Sequence, residues 1–467
     1  MSSPAHGGFP LGAVRLLAGN SHSLVVNRMK KEHNRIALLH HAGGGNLGDD
    51  ATLEVVIRNI RVRWANAEIS ALTMNTGDTA ARHGIPCYPM RRYQWEVDAD
   101  STSAETAVVS ESGGRLTNAL RAALRLPAAL WNEGAFLARS YGILKSFDLL
   151  IVSGGGQLTE RGGPWSFPYA IFVWTRMARR AGLRCIFLNV GAGPLNRPLS
   201  RFFVRHALNA ADYVSFRDRQ SQQLAQSLGY NGSPLVFPDN VYGIELDLPA
   251  RRAIHGARPV VGINPMPYPF CDLPKVPADA QEMQDQFIGK MADFTSLLAQ
   301  DGFAIRFFGS DLRWDPLEIE HLRKVLIDRH RISLSEYLPI TTVDELLGRM
   351  SQMDRVVTCR YHGVVLAHLL NKPVLAIAHH PKVTDLMQSL GLSEYCVDML
   401  SFDPIRLMDT FRSLVANAAA IKAGMAERLV ETREQSKAQF DELFGPPRLS
   451  ATLVRDLERA VAYKSRA

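Results

Sequence analysis

Cysteine is scarce in this chain and badly spaced for structural use. Cys87, Cys185, Cys271, Cys359 and Cys396 are odd in number, far apart and never arranged as C-x-x-C. That excludes a disulfide framework and a structural zinc site, and points to a reducing compartment such as the cytoplasm. No apolar run reaches the length of a membrane-spanning helix, and the first 33 residues lack the apolar core of a secretion signal. The net charge is +7, yet no block of Lys and Arg occurs. A nucleic-acid-binding tail is therefore excluded. A basic surface suits an anionic small molecule or a phosphate-rich membrane face. Neither G-x-G-x-x-G nor a P-loop is present. No cluster has metal-ligand spacing, so neither a metal nor a resident cofactor is expected.

What the chain does have is 467 residues, 46% of them apolar and 21% charged, enough for two or three domains. Short runs rich in Ile, Val, Leu and Phe occupy 35–41, 68–74, 147–153, 184–190, 213–216 and 235–237. They read as strands buried on both faces, with helix-period segments between them. Leu53, Val56, Ile57 and Ile60 share one helical face. After a Pro/Asp/Asn/Gly connection at 238–258, a second series runs through 259–264, 303–309, 355–359 and 373–378. Thr342 and Glu345 form a capping box ahead of Leu346.

This alternation predicts an α/β protein with two Rossmann-like domains facing across a cleft. The expected divisions are a loose segment at 1–33, a first domain at 34–245, a second at 255–403 and helices at 404–467. Residues 104–145 are basic and rich in Ala, Leu and Arg. They read as an insertion, either a pair of packed surface helices or an amphipathic patch that touches a membrane.

Six strings at strand exits are candidates for chemistry. In His41-Ala-Gly-Gly-Gly45-Asn46-Leu-Gly48-Asp49-Asp50, glycines permit close backbone approach, and a helix start attracts anions. Asn46, Asp49 and Asp50 add amide and carboxylate groups at a carboxyl strand edge, where open α/β sheets bind ligands. Gly154, Gly155 and Gly156 follow the third strand run, and Asn189-Val-Gly-Ala-Gly-Pro194 follows the fourth. Arg217, in Ser215-Phe-Arg-Asp-Arg219, offers a bidentate fork for a carboxylate or phosphate. Arg360 and His362 lie at a strand–helix junction, and Lys382 follows the next strand in His379-His380-Pro-Lys382. The positive helix end disfavours a charged His362 until an anion binds.

Gly45-Asn-Leu-Gly-Asp49, Ser153-Gly-Gly-Gly156, Ser215-Phe-Arg-Asp-Arg219, Arg360-Tyr-His-Gly363 and the downstream Lys382 together resemble the polysaccharide pyruvyl transferase family. The resemblance runs from about residue 35 to 392, and Arg-x-His with its later Pro and Lys is its most specific part. It implies a fold similar to GT-B glycosyltransferases, phosphoenolpyruvate (PEP) as co-substrate and a ketal-pyruvylated sugar as product. Arg217 and Arg360, with Lys382, would grip the donor. His362 would be the acid, and Asp49 or Asp50 a base or an acceptor ligand. The remaining loop residues would line the acceptor cleft, and the acceptor would be a sugar, free or lipid-linked at the inner membrane face. Two other readings are a nucleotide-sugar glycosyltransferase in the same cleft, which needs ribose and base contacts, and a non-enzymatic binding protein.

Overall fold

Alternate residues of the first strand serve two different cores. In β1 (Arg35–Leu39), Ile36 and Leu38 pack on one face of the sheet and Ala37 and Leu39 on the other. β4 (Leu149–Ser153) does the same, with Leu149 and Ile151 opposite Leu150 and Val152. Such strands lose all contact with water, which is why their sequences read as unbroken apolar runs.

The computed structural model describes residues 33–93, 115–246, 258–267, 278–334 and 336–447. The segment expected to be loose at 1–33 lies almost wholly outside the described residues, as does part of 104–145. Around β1 and β4 a seven-stranded parallel sheet forms in the order β3-β2-β1-β4-β5-β6-β7. Its other members are β2 (Glu68–Thr73), β3 (Cys87–Pro89), β5 (Arg184–Val190), β6 (Tyr213–Phe216) and β7 (Leu235–Val236). The second sheet is parallel and five-stranded: β12 (Cys396–Asp398), β11 (Val374–Ala378), β10 (Arg355–Thr358), β8 (Val260–Asn264), β9 (Ala304–Phe307). Every strand run read from the sequence appears, 184–190 and 213–216 with the same bounds and the others trimmed at one end or both. β3 and β12 do not stand out in the sequence because each is a three-residue edge strand, too short to show a period.

Helices cover both faces of each sheet. Those that reach the cleft are α1 (Leu47–Arg61), α2 (Thr76–His83), α6 (Arg219–Ser227), α8 (Asp315–His330), α10 (Tyr361–Leu369) and α11 (Pro381–Ser389). Among the described residues the basic insertion forms one helix, α3 (Arg115–Leu144), and Pro127 lies inside it without ending it. Leu130 and Trp131 on α3 are exposed. The Thr342 side chain caps α9 (Val343–Ser351) by accepting from the Glu345 amide at 3.1 Å. Glu345, however, reaches back to Thr341 N at 2.8 Å, so the box closes one residue early. Cys87, Cys185, Cys359 and Cys396 are free thiols; Cys271 lies outside the described residues.

The chain end ties the two halves together. α12 (Pro404–Ala416) buries Leu407, Met408, Phe411 and Leu414 on the second sheet. α13 (Ala418–Phe444) starts there with Ile421 and Met425 and finishes beneath the first sheet with Phe440, Leu443 and Phe444. Gln439, fully buried, exchanges hydrogen bonds with the Asn189 side chain (2.8 Å each) and donates to Tyr213 Oη and Ser215 Oγ at 3.0 Å. A leucine at 439 would keep the volume and remove all four of these hydrogen bonds from a buried network. Gln439→Leu is expected to destabilise the protein by about 1–3 kcal/mol, read from the midpoint of chemical denaturation.

Candidate active site

The first glycine loop is built as half of an interface. Asn46 caps α1, its Oδ1 accepting from Gly48 N at 2.9 Å and Asp49 N at 3.4 Å. The backbone just before the helix pairs with a loop after β9. Leu47 N donates to Ser310 O (2.8 Å), Leu312 N donates to Gly45 O (2.7 Å), and Asn46 bridges Asp311. A cleft between the two sheets is thus closed at this point by backbone hydrogen bonds.

Arg360 supports the other side of that seam. Its Nε donates to Asp315 Oδ1 at 3.0 Å, its Nη2 bonds the same oxygen, and Asp311 Oδ2 lies 3.5 Å from Nη2. Asp315, fully buried, accepts through Oδ2 from Ser310 N, Asp311 N and Asn264 Nδ2 at 2.9–3.1 Å. The guanidinium expected to grip a donor anion is therefore engaged with two carboxylates that shape the 310–312 loop.

His362 crosses the seam. It is the second residue of α10 and 8% exposed. Its ring lies so close to α1 that a Cβ added at Gly48 would stand 2.0 Å from His362 Nδ1. Only a hydrogen at position 48 admits the ring. Its Nε2 is buried without a hydrogen-bond partner and sits 3.9 Å from Asp239 Oδ2. Burial lowers the imidazole pKa to about 4; Asp239 opposes this, while Arg217, Lys382 and Arg360 reinforce it. The ring is neutral at neutral pH.

Arg217 faces His362 from the first sheet. It follows β6, its Nη1 donates to Asp239 Oδ2 at 3.2 Å, and its Cζ lies 4.2 Å from the centre of the Tyr361 ring, an arrangement that favours a cation. Its Nε has no hydrogen-bond partner. Asp218 caps α6 through Ser221 N at 2.6 Å. Gly156 passes close by, since a Cβ on it would lie 4.0 Å from Arg217 Nη2. Gly154 packs against Asn240, and Gly155 against Asp49.

Asp49 is the titratable group common to these contacts. Burial raises its pKa to about 7; Arg217 and Lys382 pull it down, and Asp50 and Asp239 push it up. Lys382, second residue of α11, thus acts on both Asp49 and His362. Asp50 is turned elsewhere. Its carboxylate lies 3.6 Å from Arg82 and 3.7 Å from His83 of α2.

Asp239 was missed at the sequence level, because it falls in the stretch read as a connection. Its Oδ1 caps a short 3₁₀ turn (Asn240–Gly243) through Val241 N at 3.0 Å, while its Oδ2 serves Arg217 and His362. A Pro-Asp-Asn string directly after a strand run was the available signal.

Two measurements test this geometry. Gly→Ala inside a helix normally stabilises by about 0.5–1 kcal/mol. Gly48→Ala is expected to lower the melting temperature instead, and Gly48→Ala combined with His362→Ala to recover it. The second test is the pH dependence of Asp49. Between about pH 4 and about pH 7 the unfolded carboxyl is ionised while the folded one keeps its proton. The folded state then binds more protons, so Asp49 erodes stability as pH rises through that window. The melting temperature of Asp49→Asn should gain on the wild type from pH 4 to pH 7, and a constant difference would contradict the buried placement.

Comparison with known proteins places this architecture. It superimposes at a TM-score of 0.52 on the Listeria monocytogenes protein described as a UDP-N-acetylglucosamine 2-epimerase, at 10% identity, over 88% of this chain and 98% of that one. A further UDP-N-acetylglucosamine 2-epimerase gives 0.50 at 10% identity, over 88% and 96%. At these identities the likeness is one of fold, two facing α/β halves of GT-B type. No curated protein resembles the chain closely enough in sequence to count as a relative. The family model for polysaccharide pyruvyl transferase matches residues 46–381, from the cap of α1 to the first residue of α11. That span holds Gly48, Arg217, Asp239 and His362 together, and the chain belongs to the polysaccharide pyruvyl transferase family.

Proposed function

We propose that this cleft moves the pyruvyl group of PEP onto two hydroxyls of a sugar, forming a ketal and releasing phosphate. The observation that supports the reading best is electrostatic. Arg217 and Lys382 act jointly on a neutral histidine and on a carboxyl poised near neutrality, all within one buried seam between two sheets. PEP carries a carboxylate and a phosphate. A guanidinium held edge-on by Asp239 and stacked on Tyr361 suits the planar carboxylate, and the Lys382 ammonium suits the phosphate as a point charge.

The charges also account for timing. In the free protein, burial and three cations keep His362 unprotonated. Bound PEP adds negative charge beside it and raises its pKa, so the acid is made by the arrival of its substrate. His362 then gives a proton to the methylene carbon of PEP, and C2 becomes electrophilic. Asp49 takes the proton of a sugar hydroxyl as its oxygen bonds to C2. The C2–phosphate bond breaks, the second hydroxyl adds to C2, and its proton leaves with phosphate. Arg360 acts here as a positioning residue, because two of its nitrogens are committed to Asp315.

The acceptor in this reading is a sugar of a polysaccharide or of its lipid-linked precursor, and the enzyme works in the cytoplasm. No described helix is long and apolar enough to cross a membrane. Exposed Leu130 and Trp131 on α3 are where a lipid-linked acceptor's membrane would be met.

Fold likeness to UDP-sugar enzymes keeps a nucleotide-sugar donor as the competing reading. PEP is expected to raise the melting temperature more than UDP at equal concentration, and the reverse order would favour the competitor. His362→Asn is expected to keep the PEP shift while phosphate release falls by about 10²–10⁴-fold. The alkaline limb of the rate profile should vanish with it. His379→Asn and His380→Asn serve as controls, since His379 donates to Cys359 O at 2.9 Å and His380 caps α11.

A further inference from the structure

Gly155 lies directly beyond β4 in left-handed backbone, φ +68°. A Cβ built on it would stand 3.1 Å from Asp49 Oδ1, 3.4 Å from His40 Nε2 and 3.9 Å from Gln157 Nε2. Three side chains, carried by the exit of β1, the start of α1 and the exit of β4, therefore converge on Gly155 so closely that only a glycine fits there. His40 and Gln157 are both fully buried. His40 Nε2 and both polar atoms of the Gln157 amide have no hydrogen-bond partner. Burying an amide with neither end satisfied is costly, so a fold that retains one calls for a partner such as a ligand or an ordered water.

The protonation of His40 follows from its one bond. Its Nδ1 accepts from Ala42 N at 3.0 Å, so the proton resides on Nε2, which is a donor facing Gly155. Burial, then the neighbouring His41 and His83, keep the ring neutral. The point of convergence is thus bordered by an imidazole N–H, an amide that both donates and accepts, and a carboxyl. None of the three supplies positive charge. The cations Arg217 and Lys382 act on the Asp49 side, whereas a hydroxyl, which donates and accepts, meets a partner for each role among the three.

We propose that His40, Gln157 and Asp49 form the acceptor subsite, which holds a hydroxyl pair of a pyranoside against Gly155 while the donor lies against Arg217 and Lys382. This rests on the pyruvyl-transfer reading and deepens it. Asp49 borders both compartments, so the hydroxyl it deprotonates is the one delivered to C2 of the donor. Gln157 and His40 act as orienting groups that fix which oxygen faces Asp49.

The test uses saturation-transfer NMR with methyl β-D-galactopyranoside and methyl β-D-glucopyranoside as probes. The full-length wild type, Gln157→Leu and Gly155→Ala are compared, with a thermal shift by PEP measured in parallel. Gly155→Ala fills the point but strains a left-handed backbone. Gln157→Leu removes the hydrogen bonds with little change in volume, and loss of an unsatisfied amide should leave its melting temperature equal or higher. The wild type is expected to give transfer to at least one pyranoside, and both variants to lose roughly tenfold or more of that binding with the PEP shift intact. Absence of transfer in the wild type, or equal transfer in Gln157→Leu, overturns the subsite. Loss of the PEP shift in Gln157→Leu also overturns it, by moving the residue to the donor side. Pyranoside binding as expected with no PEP shift in the wild type leaves the subsite standing and removes the pyruvyl-donor reading.

Discussion

The contact on which the candidate site depends is the seat of the His362 ring against Gly48. One group belongs to the second sheet and the other to the first. Everything else in the cleft adjusts to that approach. The backbone pairing of Leu47 with Ser310 holds α1 at the right height, and Arg217 stacks on Tyr361, the neighbour of His362. Asp315 and Arg360 stiffen the loop that makes the pairing. A histidine placed by one half and seated in the other reports whether the halves are together. Chemistry that needs this ring is confined to the closed arrangement, where water is excluded and charges act at short range.

Burial in this seam sets opposite groups toward neutrality. Asp49 is lifted and His362 lowered, so the resting cleft carries less charge than its residue types suggest. Arg217 is balanced there by Asp239 and Asp218. Tyr242 adds a mechanical link. Its hydroxyl donates to His368 Nδ1, and His368 Nε2 donates to Met425 O, each at 2.9 Å. The interdomain turn, α10 and α13 are joined in one line.

Much of this was legible in the sequence because parallel strands buried on both faces leave long apolar runs, and loops at their exits leave glycine and polar strings. Gly48, Arg217 and His362 could each be named that way. What could not be read was who pairs with whom. Arg360 looks like Arg217 in a string of letters, yet it faces Asp315, which lies 45 residues away, while Arg217 faces Asp239 and Asp218. Asp239 was hidden because a Pro/Asp/Asn stretch between strands reads as a connection, and its role comes only from two partners on different sheets. Gln157 closed a glycine string whose backbone drew the attention, and nothing in its neighbours announces that its amide is left without a bond. Residues 104–145 read as a pair of packed helices or a membrane-touching patch, and the described part, 115–144, is one helix that continues through Pro127.

The return of α13 has a consequence for how the protein is made. Asn189 and Gln439 are 250 positions apart, so the polar network beneath β5 and β6 waits for residue 439 to leave the ribosome. Until then Asn189 and Ser215 lack a partner that the finished molecule gives them, and the site's first half is held by a sheet whose underside is still open. Synthesis proceeds N-terminal end first, at about 5–20 residues per second. A nascent chain therefore spends on the order of ten seconds or more with its first sheet translated and its final brace absent. A ribosome that stops before Gln439 releases a chain that has every glycine loop of the site but lacks the helix that locks them in place.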